Sequence, residues 1–170
     1  MLPTVIASID TLLARVGPGL FQQAFVVADL DAAMHAFTAT LGCPRWATLP
    51  GGSLPYRLRG RDVECTLRIG FARSGYQQIE LIQPVAGNGI HVEFLAGHGA
   101  GAHHLGFLVE DLAAELSVAR TAGLADVMSG EFGSLRFAYV DTWDVLGTYL
   151  ELVEDPDGMM RQLMPWRDQP

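Results

Sequence analysis

At 170 residues the chain can bury one well-formed core, or two small modules sharing one, and is short for two independent domains. Its 49% hydrophobic and 18% charged content is that of an ordinary folded protein, which excludes a disordered or low-complexity chain. The net charge of -8 excludes broad attraction to nucleic-acid phosphates, and no apolar run approaches the roughly 18 residues that cross a bilayer.

The opening residues carry neither a basic segment nor the apolar stretch of a secretion signal, so the expectation is a cytoplasmic protein without nucleic-acid or membrane partners. Cys43 and Cys65 stand far apart and outside any CxxC spacing, which points to buried free thiols rather than a disulfide or a thiolate metal site. All eleven basic residues are arginine, and Arg57, Arg59, Arg61, Arg68 and Arg73 crowd one stretch. That run reads either as a patch for phosphate or carboxylate groups of a ligand or as a solvated strand edge.

Residues 1–20 read as a helical extension: Val5, Ile6, Ile9, Leu12, Leu13 and Val16 recur at helical spacing, and Gly17-Pro18-Gly19 ends the run. Phe21 to Ala28 is a predicted strand. Asp29 caps a helix that continues to Leu41 and closes at Gly42. From Cys43 to Arg61 the Pro/Gly content predicts a strand and a long loop. Val63, Cys65, Leu67, Ile69 and Phe71 alternate with Glu64, Thr66, Arg68 and Gly70, which predicts a strand with one apolar and one polar face. A break at Ser74-Gly75 leads to a further strand, Tyr76 to Gln83, stopped by Pro84. A connector over 87–102 holds a short helix at His91 to Leu95 and a glycine-rich loop.

The pattern then restarts. Val26-Val27-Ala28-Asp29-Leu30 is answered by Leu108-Val109-Glu110-Asp111-Leu112 at an offset of 82, and Ile79-Glu80-Leu81 by Leu150-Glu151-Leu152 at an offset of 71. The second helix runs from Leu112 to about Ala122 and stops at Gly123. The simplest account is an α+β chain of two βαβββ modules, over 21–86 and 103–155, with a tail over 156–170.

Strand alternation separates two faces in each module. The apolar sets, such as Phe25 and Val27, Ile79 and Leu81, Leu105 and Phe107, and Leu150 and Leu152, suit a face covered by helices. The opposite face collects Gln22, Glu80, His104 and Glu151, and the repeat relates Gln22 to His104 and Glu80 to Glu151. A pseudo-two-fold arrangement brings all four together, giving one nitrogen and three oxygen donors suited to a divalent ion with open positions. The plainer alternative is a hydrogen-bonded structural histidine beside ordinary polar face residues. The same alternation turns His103 toward the helix side as a structural residue, and His35, His91 and His98 receive no chemistry.

The paired modules, the helix-opening Val27-Ala28-Asp29-Leu30 and Val109-Glu110-Asp111-Leu112, and the stretches Ala102-His103-His104-Leu105-Gly106-Phe107, Ile79-Glu80-Leu81-Ile82-Gln83-Pro84 and Tyr149-Leu150-Glu151-Leu152-Val153-Glu154 resemble the vicinal oxygen chelate superfamily. That group includes glyoxalase I, methylmalonyl-CoA epimerase, extradiol dioxygenases and bleomycin-resistance proteins, and the resemblance covers about residues 21–155. It implies a curved mixed sheet around a central cavity. It also implies a divalent metal ion (zinc, nickel, cobalt, manganese or iron) on Gln22, Glu80, His104 and Glu151. Glutamine at the first position departs from the common histidine, although some glyoxalase I enzymes also use glutamine there.

Glu64 lies on the polar face of the Val63 to Phe71 strand, which is expected to look into the same cavity as the ligands. Methylmalonyl-CoA epimerases place a proton-transfer glutamate on the matching strand, with Glu151 near the other proton-transfer position. The implied activity is a metal-dependent isomerase or epimerase that takes a proton next to a carbonyl of an acyl-CoA or similar small oxo compound, the arginines holding coenzyme A phosphates. The closest rival is a glyoxalase-type lyase on a thiol hemithioacetal. The rival of another class is a metal-free protein that sequesters a small hydrophobic ligand. An iron dioxygenase fits less well, because those members favour two histidines and one carboxylate. The family builds its sites within one chain or across a dimer, and a homodimer is the expectation.

Overall fold

The sequence repeat becomes a repeat of hydrogen-bonded structure. A computed structural model describes residues 2–43 and 45–162, and of residues 2–8, 50 and 161 it describes the backbone. The side chains of Val5 and Ile6, and the tail beyond residue 162, lie outside the described residues.

In chain order the elements are α1 (Leu2–Val16), a 3-10 turn (Gly17–Gly19), β1 (Leu20–Val26), α2 (Leu30–Leu41), β2 (Ala47–Leu58), β3 (Arg61–Ser74) and β4 (Gln77–Gly87). They continue with α3 (Ile90–His98), β5 (Gly101–Val109), α4 (Leu112–Thr121), β6 (Asp126–Phe132), β7 (Leu135–Asp141), α5 (Trp143–Leu146), β8 (Tyr149–Glu154) and α6 (Met159–Gln162). The Pro/Gly-rich stretch expected to hold a long loop is mostly β2, paired with β3 across a register slip between Leu49 and Gly52.

Both modules open alike because the same short sequence is used twice. Asp29 and Asp111 sit in extended conformation and accept hydrogen bonds from the N–H groups of Ala32 (3.0 Å) and Ala114 (2.9 Å). Each satisfies one of the donors that a helix start leaves unpaired. Gly42 ends α2 in the left-handed region at φ 65°, where a residue with a Cβ is strained.

The strands close into one barrel in the order β1, β4, β3, β2, β6, β7, β8, β5. Two antiparallel seams join the modules, β1 to β5 and β2 to β6, while β1 with β4 and β5 with β8 run parallel. The outer faces are covered by helices. Leu12 and Val16 of α1 and Leu112 and Leu116 of α4 pack on Phe107, Val140, Leu150 and Leu152. In the first module Leu30 of α2 packs on Ile79, Leu81 and Val27. Burying a leucine-sized side chain contributes about 1.5–3 kcal/mol, so these two layers hold the helices on the barrel. At one end α3 packs against β4, β1 and β5 and inserts Ile90 among the interior side chains Tyr56, Leu67, Met128 and Tyr139. No described helix is long and apolar enough to cross a membrane.

One face assignment is reversed. In β3 the apolar set, Leu67, Ile69 and Phe71, faces the barrel interior, and the polar set faces out, where Arg68 donates to Asp31 (3.1 Å) and to Gln83 (3.0 Å). Register gives the reason: Phe71 pairs with Glu80, and paired residues share a face. If Glu80 points inward, so do Phe71 and the residues two and four positions before it.

Candidate metal centre

Four adjacent strands, β4, β1, β5 and β8, form the wall that carries the polar residues. Their register sets these residues in two rows. Gln78, Gln22, Gly106 and Glu151 lie side by side, and Glu80, Ala24, His104 and Tyr149 form the next row. The repeat exchanges the rows, so each candidate ligand has a counterpart in the other module, and each row contains one small residue. Those small residues make room. A Cβ added to Gly106 would stand 2.7 Å from Gln22 Oε1 and 3.0 Å from Gln22 Cβ.

The four candidate ligands meet around one ring nitrogen. His104 Nε2 lies 3.2 Å from Glu80 Oε2, 3.3 Å from Glu151 Oε2 and 3.3 Å from Gln22 Oε1. All four residues are buried and come from one chain. Donors bound about 2.1 Å from one ion stand roughly 3 to 3.4 Å apart, so these separations suit a common cation. The Gln22 amide is already oriented for this: its Nε2 donates to Gln78 Oε1 at 2.5 Å, which leaves Oε1 turned toward His104. Glu80 Oε2 is buried, and despite its closeness to His104 it makes no hydrogen bond of acceptable angle. A buried carboxylate oxygen without a partner is costly, and a cation held among these donors would satisfy it. The donor set fits a divalent ion.

Without a cation the cluster holds protons. Burial opposes charge on His104, but Glu151 and Glu80 outweigh it and lift its pKa to about 9. Burial also raises the Glu80 carboxyl, against the pull of His104. Tyr139 on β7 pairs in register with Glu151, and burial followed by the nearby carboxylates keeps its phenol protonated.

His103 does not obey the alternation that assigned it to the helix side. Between Ala24 and Phe25 the β1–β5 register slips, and His103 is the extra residue of a β-bulge. Its Nδ1 lies 3.0 Å from His104 Nδ1, and its ring lies against that of His91, tilted by 31° with centroids 4.7 Å apart. A cation on His104 Nε2 leaves the ring proton on Nδ1, and His103 Nδ1 is then its acceptor. His91, given no chemistry from the sequence, is 1% exposed and lines the cleft, with neither ring nitrogen partnered. Burial, then the charge on His104, holds its pKa down to about 3. Its only signal in the sequence is a histidine beside Ile90 and three positions before Phe94, the apolar face of a short helix.

Of the cluster, Gln22, Glu80 and Glu151 line the floor of an open cleft of about 100 Å³. The facing wall comes from β2, β3, β6 and β7, with Leu49, Leu67, Phe71 and Phe137 among its side chains, and α6 adds Met159 and Met160. Glu131 lines the cleft where it meets solvent.

Glu64 is not part of this cleft. It is exposed on the outer face of β3 and accepts a hydrogen bond from Ser53 Oγ at 3.1 Å, because barrel closure turns the other face of that strand inward. Four of the five arginines of the run are engaged elsewhere. Arg57 pairs with Asp62 (3.5 Å), Arg59 with Glu93 (2.8 Å) and Arg68 with Asp31, while Arg73 Nε donates to the Gly75 carbonyl.

Residues 21–139, from the first strand of the first module into β7, match the profile of the Glyoxalase/Bleomycin resistance protein/Dioxygenase superfamily. The chain belongs to this superfamily. Its fold is shared by methylmalonyl-CoA epimerase from Mycobacterium tuberculosis at 23% identity and TM-score 0.61, covering 86% of this chain and 93% of that one. A methylmalonyl-CoA epimerase variant from Streptomyces coelicolor, in complex with 2-nitronate-propionyl-CoA, matches at 21% identity and TM-score 0.55, covering 81% and 96%. A hypothetical protein from Bacillus halodurans matches at 16% identity and TM-score 0.57, covering 80% and 93%. No curated protein matches the chain. Within the superfamily fold, the residues on the inner wall decide the chemistry.

Proposed function

We propose that this superfamily member is a metal-dependent isomerase of the epimerase kind, which removes a proton from the carbon next to a carbonyl and returns it. One observation carries the reading: His104 Nε2 stands within 3.3 Å of oxygens from Glu80, Glu151 and Gln22, all buried on the floor of a cleft. Gln22, Glu80, His104 and Glu151 would hold the ion. When bound, a divalent cation supplies positive charge to a substrate oxygen as an enolate develops.

The chain's own groups do the rest. Glu151 lines the cleft beside its cross-strand neighbour Tyr139 and takes the substrate proton on its carboxylate. Glu80 rises from β4 and Glu151 from β8, the two outermost strands of the ligating wall, so they flank a substrate lying over β1 and β5. A carboxylate on either side of a planar intermediate is what inversion at carbon requires. The facing apolar wall excludes water and keeps the carboxylates basic. Epimerases acting on an acyl-CoA share this fold, which supports the reaction class.

A glyoxalase-type reaction on a thiol hemithioacetal is the second reading, and the position of Glu64 favours keeping it. The residue that set the epimerase apart points away from the cleft, while the groups both reactions need remain. The test is incubation of metal-loaded protein in deuterium oxide with a chiral 2-methylacyl thioester, and separately with a hemithioacetal. Deuterium at the α-carbon with loss of chirality, abolished in Glu151→Gln, is the expected result. Thioester formation from the hemithioacetal alone would put the second reading first, and a protein that takes up no ion and turns over neither compound would be the binding protein.

A further inference from the structure

The metal reading leaves the substrate open, and the shape and charge of the cleft narrow it. Glu80 and Glu151 bring two negative charges to the floor, while Gln22 and neutral His104 bring none. A divalent cation is therefore cancelled by its own protein ligands, and the loaded centre has no surplus charge with which to attract an anion. A ligating oxygen still gains from direct contact with the ion, but a second carboxylate farther out gains little.

What lies farther out is apolar. Between floor and mouth the cleft is walled by side chains such as Leu49, Leu67, Phe71, Phe137, Val153 and Met160. Among the described residues no arginine lines the cleft. A charged group carried into such walls loses hydration without a compensating partner. A ring or branched chain placed there instead removes apolar surface from water on both sides.

We infer that the substrate joins a metal-binding oxygen to a neutral apolar body, a ring or branched chain that fills the cleft, and carries no second carboxylate or phosphate within it. The inference rests on the metal reading proposed above and specifies its substrate class. The part of the molecule inside the cleft is thus bulkier and less polar than a malonyl group. If the substrate is a thioester, its carrier lies outside the cleft.

Three hydroxamic acids separate these properties, since all chelate through the same two oxygens: acetohydroxamic acid without a body, benzohydroxamic acid with an apolar ring, and 4-carboxybenzohydroxamic acid with a charged ring. Their dissociation constants are measured calorimetrically on zinc-loaded protein and on His104→Ala protein. Benzohydroxamate is expected to bind at least about tenfold more tightly than acetohydroxamate, the gain from burying a ring-sized apolar surface. The carboxylated ring is expected to lose most of that gain. Equal binding by acetohydroxamate and benzohydroxamate, or tighter binding by the carboxylated ring in the wild type, overturns the substrate class while leaving the metal reading standing. Failure to load zinc, or binding that persists unchanged in His104→Ala, overturns the metal reading itself.

Discussion

The barrel has two walls built from the same modules and used oppositely. The wall of β4, β1, β5 and β8 turns Gln22, Gln78, Glu80, His104 and Glu151 inward, while the wall of β3, β2, β6 and β7 turns Leu67, Phe71 and Phe137 inward. Each strand alternates polar and apolar residues, so composition does not separate the walls. What separates them is which set of side chains each strand turns inward: β1 and β4 turn their apolar set toward α2 and their polar set into the barrel, while β3 and β7 turn Leu67, Phe71 and Phe137 inward. Polar ligands on one side and a dry surface on the other give a site that holds charge and excludes water.

The ligating wall should be the more sensitive to small changes in chemistry. Glu151→Gln keeps the shape and removes the base, and the rate of α-proton exchange should fall about 10²- to 10⁴-fold, measured by deuterium incorporation. Gly106→Ala puts a methyl group where Gln22 Oε1 lies, 2.7 Å away, and should weaken zinc about 10- to 100-fold in a competition titration with a chelating dye. Unchanged affinity would mean that Gln22 is not a ligand. The facing wall should respond in the other currency. Phe71, 3% exposed, loses packing in Phe71→Ala, which should lower unfolding free energy by about 3 kcal/mol in a denaturant titration while zinc stoichiometry stays the same.

Acidity gives a finer contrast. His104 has a folded pKa of about 9 against 6.5 for a free side chain, so its contribution to the metal-free protein is fully present below 6.5. That contribution is lost as pH rises through about 9, and Glu80, also raised, acts in the same direction. The melting temperature of metal-free protein should therefore fall across that window. Zinc-loaded protein should show a flatter profile, and zinc binding near pH 8 should release protons to a weak buffer. Parallel profiles with no proton release would contradict the assignment of His104. The smallest effect is expected outside the barrel: Glu64→Gln should leave both exchange and zinc binding unchanged.

The polar wall was legible because two independent signals agree there. Alternation places Gln22, Glu80, His104 and Glu151 on one kind of face, and the internal repeat pairs them. The facing wall was not legible for a physical reason. Alternation in Val63 to Phe71 distinguishes two faces but does not say which is inside, and a barrel interior that is itself apolar reverses the usual assignment. That reversal carried Glu64 out of the site. The bulge at His103 is a break in pairing between β1 and β5, and no residue type in that stretch announces it. Closure through Tyr56 to Leu58 and Met128 to Gly130 depends on long-range pairing in the same way.

The central claim is that the buried cluster is a metal site, and the most direct measurement is the divalent-ion content of untagged protein after dialysis, alongside Glu80→Ala and His104→Ala. The account predicts about one tightly held ion per chain in the wild type and at least a hundredfold weaker binding in each variant. Protein that retains no ion, or variants that retain it as well as the wild type does, would contradict the account.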